Sequence, residues 1–140
     1  MRAYLAIKYM EDASNRPQVD AIAAALAQQG VESFCTARDL ERWGEVHFEC
    51  TELMTRTFEE IRNCDLLVLD ISVKGVGLGI EAGYAHAIGK PIVVIARAGS
   101  DIPATLLGIV ISWCYYETHQ DLPEVIREAL APLRVHTASA

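Results

Sequence analysis

The 140-residue sequence lacks the marks of several special protein classes. Its four cysteines form no Cys-x-x-Cys pair, so neither a disulfide framework nor a zinc ribbon is indicated. The four histidines are dispersed and no His-Glu-x-x-His or paired-carboxylate spacing occurs, so no metal ion and no cofactor are expected. Apolar runs stay well short of the roughly 20 residues that span a bilayer, so no membrane partner is expected.

The chain also lacks an excess of positive charge. Its net charge is −7 and its pI is near 5.0, which disfavours a nucleic acid polymer as a partner and leaves room only for a small phosphate held locally. The apolar N-terminus is interrupted by Lys8, Glu11 and Asp12 before a secretory segment can be completed. No signal peptide is expected, and the cytoplasm is the expected location.

Short β-favouring runs alternate with segments of helical periodicity. Strands are expected at 3–8, 31–35, 65–71, 91–96 and 109–116. Pro17 suits the first turn of the first helix, and Gly30 suits its left-handed end. The pattern predicts one α/β domain over 1–134, a Rossmann-like three-layer sandwich with a parallel sheet of about five strands, followed by a flexible tail at 135–140. Ligands of such sheets bind beyond the carboxyl ends of the strands.

The segment after the third predicted strand is rich in glycine. Gly75, Gly77 and Gly79 alternate with apolar residues and lead into a small-residue helix. Glycine lets the backbone approach a ligand, and a helix start offers free N–H groups to an anion. Glu81 is expected in or near the first helical turn, where the dipole favours an ionised carboxylate that can attack a sugar carbon. Acidic residues are also common in first turns for that electrostatic reason alone.

This segment resembles a known family. Residues 77–85 read Gly-Leu-Gly-Ile-Glu-Ala-Gly-Tyr-Ala, residues 89–91 read Gly-Lys-Pro, and both are similar to the nucleoside 2-deoxyribosyltransferase family. That family includes nucleoside transferases and hydrolases of deoxynucleoside 5′-phosphates and cytidine 5′-phosphate derivatives. The resemblance implies that Glu81 is the catalytic glutamate. It also implies cleavage or transfer at an N-glycosidic bond, most specifically by a nucleoside 5′-monophosphate N-glycosidase.

The resemblance assigns roles outside the glycine-rich segment. The family's first-strand aromatic, which helps to place the sugar or the glutamate, corresponds to Tyr4, with Tyr9 as the alternative; Tyr4 can also be a packing residue of the strand. An aspartate that helps to bind the base or leaving group corresponds to Thr57. Threonine can form hydrogen bonds but cannot act as an acid, so this step must differ from the family's.

Two further regions match parts of the family. Arg38 and Trp43 resemble a basic-Trp-Gly loop of the cytidine 5′-phosphate glycosidases, which implies that Arg38 pairs with phosphate and Trp43 stacks on a base. Both can equally be ordinary residues of a surface loop. Thr105 matches a position from which a neighbouring subunit completes the site, which implies a homodimer or a higher homo-oligomer, although a helix N-cap is an alternative.

Gly75 bears on the substrate. The nucleoside transferases have an aspartate at this position, which receives the 5′-hydroxyl, and the nucleotide hydrolases have a serine. Glycine does not repel a 5′-phosphate, and Ser72, Lys74 and the free N–H groups can favour it. A nucleotide is therefore expected to bind more tightly than its nucleoside. Gly75 can also be only a turn residue.

Other functions remain open. A nucleotide-binding module without catalytic activity is favoured by Thr57, because no acid stands at that place. A flavodoxin-like or response-regulator-like domain explains the fold but not the glycine-rich segment. The serine-hydrolase motif Gly-x-Ser-x-Gly and the dinucleotide motif Gly-x-Gly-x-x-Gly are both absent from the sequence.

Overall fold

The computed structural model describes the backbone of residues 1–138 and the side chains of residues 1–135. It contains one sheet in which all strand pairs are parallel, in the order β2-β1-β3-β4-β5. The strands are β1 (Arg2–Ile7), β2 (Glu32–Phe34), β3 (Leu66–Asp70), β4 (Ile92–Arg97) and β5 (Ser112–Tyr116). The helices are α1 (Arg16–Gln28), α2 (Cys50–Asn63), α3 (Val76–Ala87), α4 (Ala104–Leu107) and α5 (Leu122–Ala138). The predicted five-stranded parallel α/β fold is confirmed.

The central strands are buried along their whole length. All five residues of β3 and the first five of β4 are buried. Strands covered on both faces select continuous runs of branched apolar side chains, which is the pattern that predicted them. The last strand is shorter than the expected 109–116. The chain turns after α4, where the N–H of Ile109 bonds to the carbonyl of Leu106, and the strand starts only at Ser112.

Two apolar clusters give the three layers. On one face of the sheet, Leu5 and Val68 pack with Ile22 of α1 and Ile126 of α5. The other face carries α2, α3 and α4, whose buried side chains pack with the alternate residues of the same strands. The division follows from the two-residue period of a strand, which sends neighbouring side chains to opposite faces.

The C-terminal segment differs from its prediction. The tail was expected to begin at residue 135, whereas α5 continues to Ala138; residues 139–140 lie outside the described part. The helix passes Pro132, and Leu133 packs against the core on its C-terminal side. Nη2 of Arg134 also donates to Oε1 of Gln29 at 2.6 Å. No helix of the described residues is long and apolar enough to cross a bilayer.

The strand order determines where a ligand can enter. β1 lies beside β3, and α1 and α3, the helices that follow them, lie on opposite faces of the sheet. At such a point the two connections diverge and leave a crevice at the carboxyl ends of the strands. The segments after β1 and β3 therefore form the walls of the candidate site.

Candidate active site

A cavity of about 250 Å³ opens at the carboxyl ends of β1 and β2, beside Gly75 and the start of α3. Its walls come from the end of β1, the segment after β2, the middle of α2 and the first turns of α3. The polar side chains that line it are those of Tyr4, Lys8, Tyr9, Thr36, Glu41, Thr57 and Glu81. Residues that follow β1, β2 and β3 line it, at the edge of the sheet where a ligand was expected.

The helix that carries Glu81 starts earlier than expected. α3 begins at Val76, so Gly77 and Gly79 are helical and Glu81 lies in the second turn; no acidic residue stands in the first turn. Glu81 was expected in or near the first turn, and it lies just beyond that turn. Leu78, Ala82 and Ala85 are buried on one side of α3, and this packing outweighs the preference of alternating glycines for a loop. The effect of a helix dipole is concentrated in the first turn, so burial has more influence on Glu81.

Glu81 is held by a tyrosine of the first strand. The hydroxyl of Tyr4, a residue only 1% exposed, donates to Oε1 of Glu81 at 2.8 Å. The hydroxyl oxygen of Thr36 lies 2.7 Å from the same tyrosine oxygen. Tyr4, Thr36 and Glu81 thus form a connected group from β1, the segment after β2, and α3. The structure brings together the two residues for which a catalytic role was predicted.

Burial sets the protonation of this group. It raises the pKa of Glu81 to about 7, against the opposing effect of the hydrogen bond from Tyr4. The helix dipole was expected to favour the ionised carboxylate, whereas burial favours the protonated form, so both forms are populated near neutral pH. Burial, and after it the charge of Glu81, raise the pKa of Tyr4 well above its usual value. Tyr4 therefore keeps its proton and acts as a donor.

Thr57 lies in the wall of the same cavity. It is 2% exposed and stands on α2 beside the cavity-lining residues Leu53 and Met54. The position inferred from the resemblance therefore faces the cavity that contains Glu81. Its hydroxyl can donate and accept hydrogen bonds, but it supplies no titratable proton in the physiological range.

Lys8, rather than Lys74, supplies a cation to this cavity. A Cβ atom built on Gly75 would lie 2.9 Å from Cδ and 3.2 Å from Nζ of Lys8, so the lysine side chain occupies the space that glycine leaves open. Lys74 is exposed and its Nζ lies 2.9 Å from Oδ2 of Asp101. The available signal for Lys8 was its place directly after the first strand, at the ligand-binding edge of a parallel sheet.

A second cavity of about 270 Å³ lies on the other side of Gly75. It is mostly apolar, and Lys74, Gly79 and the exposed Thr105 line it. Within one chain, these three residues are absent from the lining of the cavity around Glu81. The structure separates them from the rest of the predicted site.

Arg38 and Trp43 also stand apart from Glu81. The guanidinium of Arg38 bonds to the carboxylate of Asp39 and, at 2.7 Å, to the carbonyl of Ser33. Trp43 packs against the core cluster beneath α1, with the guanidinium carbon of Arg16 5.3 Å from the centre of its ring. Neither side chain lines the cavity. Local partners direct both away from it.

Ser72 belongs to a buried network that sequence reasoning missed. Its Oγ accepts from the backbone N–H of Arg97 at 2.8 Å, and its own N–H donates to Asp70 at 2.8 Å. Asp70, 1% exposed, also accepts from the hydroxyl of Tyr116 at 2.6 Å and from Nε2 of Gln18 at 2.7 Å. This network ties the connection between β3 and α3 to α1 and β5. An aspartate that ends a buried strand was the available signal.

The cavity can therefore support acid–base and nucleophilic chemistry. It holds the carboxyl groups of Glu81 and Glu41, a cation from Lys8, and the hydroxyl groups of Tyr4 and Thr57. Within the described side chains, no three His, Cys, Asp or Glu residues are grouped so as to hold a metal ion.

A relative from Syntrophotalea carbinolica, named a 2′-deoxynucleoside 5′-phosphate N-hydrolase, is 31% identical over 74 residues, which are 51% of this chain and 52% of the relative. The match thus spans about half the length of that relative.

Solved structures share the fold. The CMP N-glycosidase BcmB of Clostridium botulinum superposes with a TM-score of 0.65 and 17% identity, over 91% of this chain and 98% of that chain. A 2-deoxyribosyltransferase of Bacillus psychrosaccharolyticus gives 0.67 and 21% identity, over 88% of this chain and 90% of that chain.

The family model of nucleoside 2-deoxyribosyltransferase matches residues 3–130, a range that includes Tyr4, Thr57 and Glu81. The match covers nearly the whole chain and includes every wall of the cavity. The protein belongs to the nucleoside 2-deoxyribosyltransferase family.

Proposed function

We propose that the protein cleaves the N-glycosidic bond of a nucleoside 5′-monophosphate, with Glu81 as the nucleophile. The observation that carries the proposal is the carboxylate of Glu81 in a cavity at the carboxyl ends of β1 and β2, hydrogen-bonded to Tyr4 at 2.8 Å. Family membership supports it, and so do the N-hydrolase, N-glycosidase and deoxyribosyltransferase activities in the names of the similar proteins.

The reaction follows the logic of retaining glycoside hydrolysis. An ionised Oε atom of Glu81 attacks C1′ of the sugar, the C1′–N bond breaks, and the base leaves with the bonding electrons. Water then attacks C1′ and releases the carboxylate. The pKa of about 7 leaves a substantial ionised fraction at neutral pH, and the hydrogen bond from Tyr4 favours that form and orients it.

Lys8 and the start of α3 support a phosphate on the substrate. The first N–H groups of a helix lack partners within it, and Val76, Gly77 and Leu78 line the cavity at the start of α3. Lys8 lies beside them over Gly75. A phosphate placed there would meet a lysine cation and the positive end of the helix dipole, and Gly75 brings no carboxylate to repel it.

A nucleotide-binding protein without turnover is the second candidate. Thr57 favours it, because the hydroxyl that faces the cavity at this position cannot protonate a departing base. Such a protein would still bind nucleotides through Lys8 and the start of α3. The two candidates differ in one observable, which is the release of free base.

The test is a panel of ribo- and deoxyribonucleotides and their nucleosides, incubated with the wild-type protein and analysed for free base by chromatography. The wild type is expected to release base from at least one 5′-monophosphate, and Glu81→Gln to release it about 1000-fold more slowly, because the charge that faces the developing cation is lost. Glu59→Gln, on the exposed side of α2, is the matched control. Binding without release of base would establish the second candidate.

We further propose that the protein acts as a homodimer in which Thr105 of one subunit completes the site of the other. Thr105 is exposed and lies outside the Glu81 cavity of its own chain, so only a second copy can bring it there. Light scattering in solution tests the oligomeric state. A dimer whose turnover falls in Thr105→Ala supports the proposal, and a strictly monomeric active protein refutes it.

A further inference from the structure

The cleavage proposed above needs a proton for the departing base. A base that leaves C1′ with the bonding electron pair carries negative charge on nitrogen, and general acid catalysis of such a step contributes about 10²- to 10⁴-fold. Glu81 is engaged with C1′, and the proton of Tyr4 points to Glu81. Thr57 has no proton of suitable acidity. The cavity must therefore supply the acid from another residue.

Glu41 is the second carboxyl group of the cavity. In the part of the chain whose side chains are described, Glu41 and Glu81 are the two acidic residues that line it. Glu41 stands between two helical turns, Thr36–Leu40 and Arg42–Gly44, on the wall formed after β2. It reaches the cavity from an element other than α3, which carries Glu81. Two carboxyl groups from separate walls are the arrangement that glycosidic cleavage uses.

The backbone of Glu41 is firmly held. Its N–H donates to the carbonyl of Thr36 at 3.0 Å, and its carbonyl accepts from the N–H groups of Gly44 and Val46, both at 3.0 Å. Thr36 also contacts Tyr4, which bonds to Glu81. Thr36 thus links the two walls, because its carbonyl bonds to the backbone of Glu41 and its hydroxyl to Tyr4.

The residues after Glu41 adopt a costly conformation. Arg42 and Trp43 have φ values of 48° and 57°, in the left-handed region that side chains other than glycine rarely occupy. Such a conformation persists only where the surrounding structure stabilises it. Here the packing of Trp43 against the core and against Arg16 stabilises this backbone conformation. The segment is therefore constrained, and Glu41 is presented to the cavity from a defined backbone.

The surroundings of Glu41 favour its protonated form. Burial raises its pKa, and the nearby His47 opposes this effect. The other titratable groups that line the cavity are Tyr4, Lys8, Tyr9, Cys35 and Glu81. A carboxyl group with a raised pKa retains its proton to a higher pH, and it is therefore better suited to act as an acid near neutral pH.

We propose that Glu41 is the general acid that protonates the leaving base, an inference that rests on the proposed function. As the C1′–N bond breaks and Glu81 bonds to C1′, the carboxyl proton of Glu41 passes to the base nitrogen, and the base departs neutral. Water then attacks C1′, its proton returns to the carboxylate of Glu41, and the C1′–Oε bond to Glu81 breaks. The products are the free base and the sugar phosphate, and both carboxyl groups regain their initial states.

The experiment compares two substrates that differ in their need for a proton. One is the nucleotide that the wild type cleaves fastest, and the other is its analogue with a fluorinated base of similar shape, which departs more easily as an anion. The variants are Glu41→Gln, Glu41→Asp and, as a matched control, Glu45→Gln, whose side chain is exposed and outside the cavity. Circular dichroism and thermal unfolding check that each variant is folded.

Glu41→Gln is expected to slow cleavage of the natural nucleotide by about 100-fold or more, and cleavage of the fluorinated analogue by a much smaller factor. Glu41→Asp, which keeps a carboxyl group, is expected to retain more activity than Glu41→Gln, and Glu45→Gln to match the wild type. Equal losses on both substrates, or no loss on either, overturn the role of Glu41 while leaving cleavage intact. A wild type that releases no base refutes the proposed function itself.

Discussion

The hydroxyl of Tyr4 lies 2.8 Å from a carboxylate oxygen of Glu81, although 77 positions separate the two residues in the chain. Tyr4 belongs to β1, and Glu81 belongs to α3, the helix that follows β3. The pairing of β1 with β3 brings these elements together. The bond therefore exists only in the folded sheet. It couples the ionisation of Glu81 to the first strand.

Tyr4→Phe should move the pH profile of turnover. The hydrogen bond from Tyr4 lowers the pKa of Glu81, so its loss raises that pKa above about 7 and shifts the acidic limb of the profile to higher pH. A hydrogen bond to a charged group contributes about 1.5–3 kcal/mol, which corresponds to a loss of roughly 10- to 100-fold at neutral pH. Tyr84→Phe, on α3 outside the cavity, is the control. An unmoved acidic limb in Tyr4→Phe contradicts the coupling.

Glu81→Gln should stabilise the folded protein at pH 8. The pKa of Glu81 is about 7 in the folded state against 4.5 as the ordinary value, so the folded state binds more protons between these values. Stability is then highest below pH 4.5 and falls as the pH rises through 7. After a discount for the partial exposure of Glu81, the gain in the free energy of unfolding is on the order of 2 kcal/mol.

Urea denaturation at pH 8 and pH 4 measures this gain, with Glu59→Gln as the control. The gain should be present at pH 8 and absent at pH 4, because both proteins then carry a neutral side chain at residue 81. A gain of the same size at both pH values would assign the effect to packing rather than to charge.

Lys8→Met should weaken the binding of a nucleotide more than that of its nucleoside. Lys8 lies over Gly75 in the Glu81 cavity, and a charge-assisted contact to phosphate contributes roughly 1.5–3 kcal/mol, or about 10- to 100-fold in affinity. Lys74→Met, which removes an exposed partner of Asp101, is expected to have a smaller effect. The affinities are measured by calorimetric titration. Each lysine substitution is made in the Glu81→Gln protein, so that the ligand is not cleaved during the measurement. Equal losses for nucleotide and nucleoside would place the phosphate elsewhere.

Tyr116→Phe should destabilise the protein through Asp70. The hydroxyl of Tyr116 donates to this buried carboxylate at 2.6 Å, and the loss of one donor to a buried polar group costs about 1–3 kcal/mol. Thermal or urea unfolding measures the loss. Tyr115→Phe is a matched control, because Tyr115 is the next residue along the strand and its side chain is exposed. Loss of its hydroxyl should change the free energy of unfolding by less than about 0.5 kcal/mol. Similar values for the two variants would show that the network around Asp70 adds little stability.

Much of the fold could be predicted because its signals are local. The apolar run at 66–70 is buried along its whole length in β3, and the Pro17 and Gly30 positions bound α1 as expected. The family was recognised from the contiguous segment around Glu81. The element boundaries that differ from the expected ones are the start of α3, the start of β5 and the end of α5. Alternating glycines favour a loop, but burial of Leu78 keeps the segment helical.

The site was predictable only in part, because the sequence does not show which partners a side chain contacts in the folded protein. Arg38 and Trp43 matched a motif, yet Asp39 and Ser33 hold Arg38, and Arg16 stacks on Trp43, so both stand outside the cavity. Lys8 and Glu41 matched no motif. Only the fold shows that both line the cavity around Glu81.

The amino-acid sequence alone determined that this chain is an α/β domain with a parallel sheet and that Glu81 is its leading candidate for catalysis. Hydrophobic periodicity and a short contiguous motif encode both. Tertiary structure decided the electrostatic state of Glu81, because the burial that raises its pKa and the hydroxyl that opposes it come from elements far apart in the chain. It also decided which lysine and which second carboxyl group share the cavity, since proximity across the edge of a sheet depends on strand order rather than on spacing in sequence.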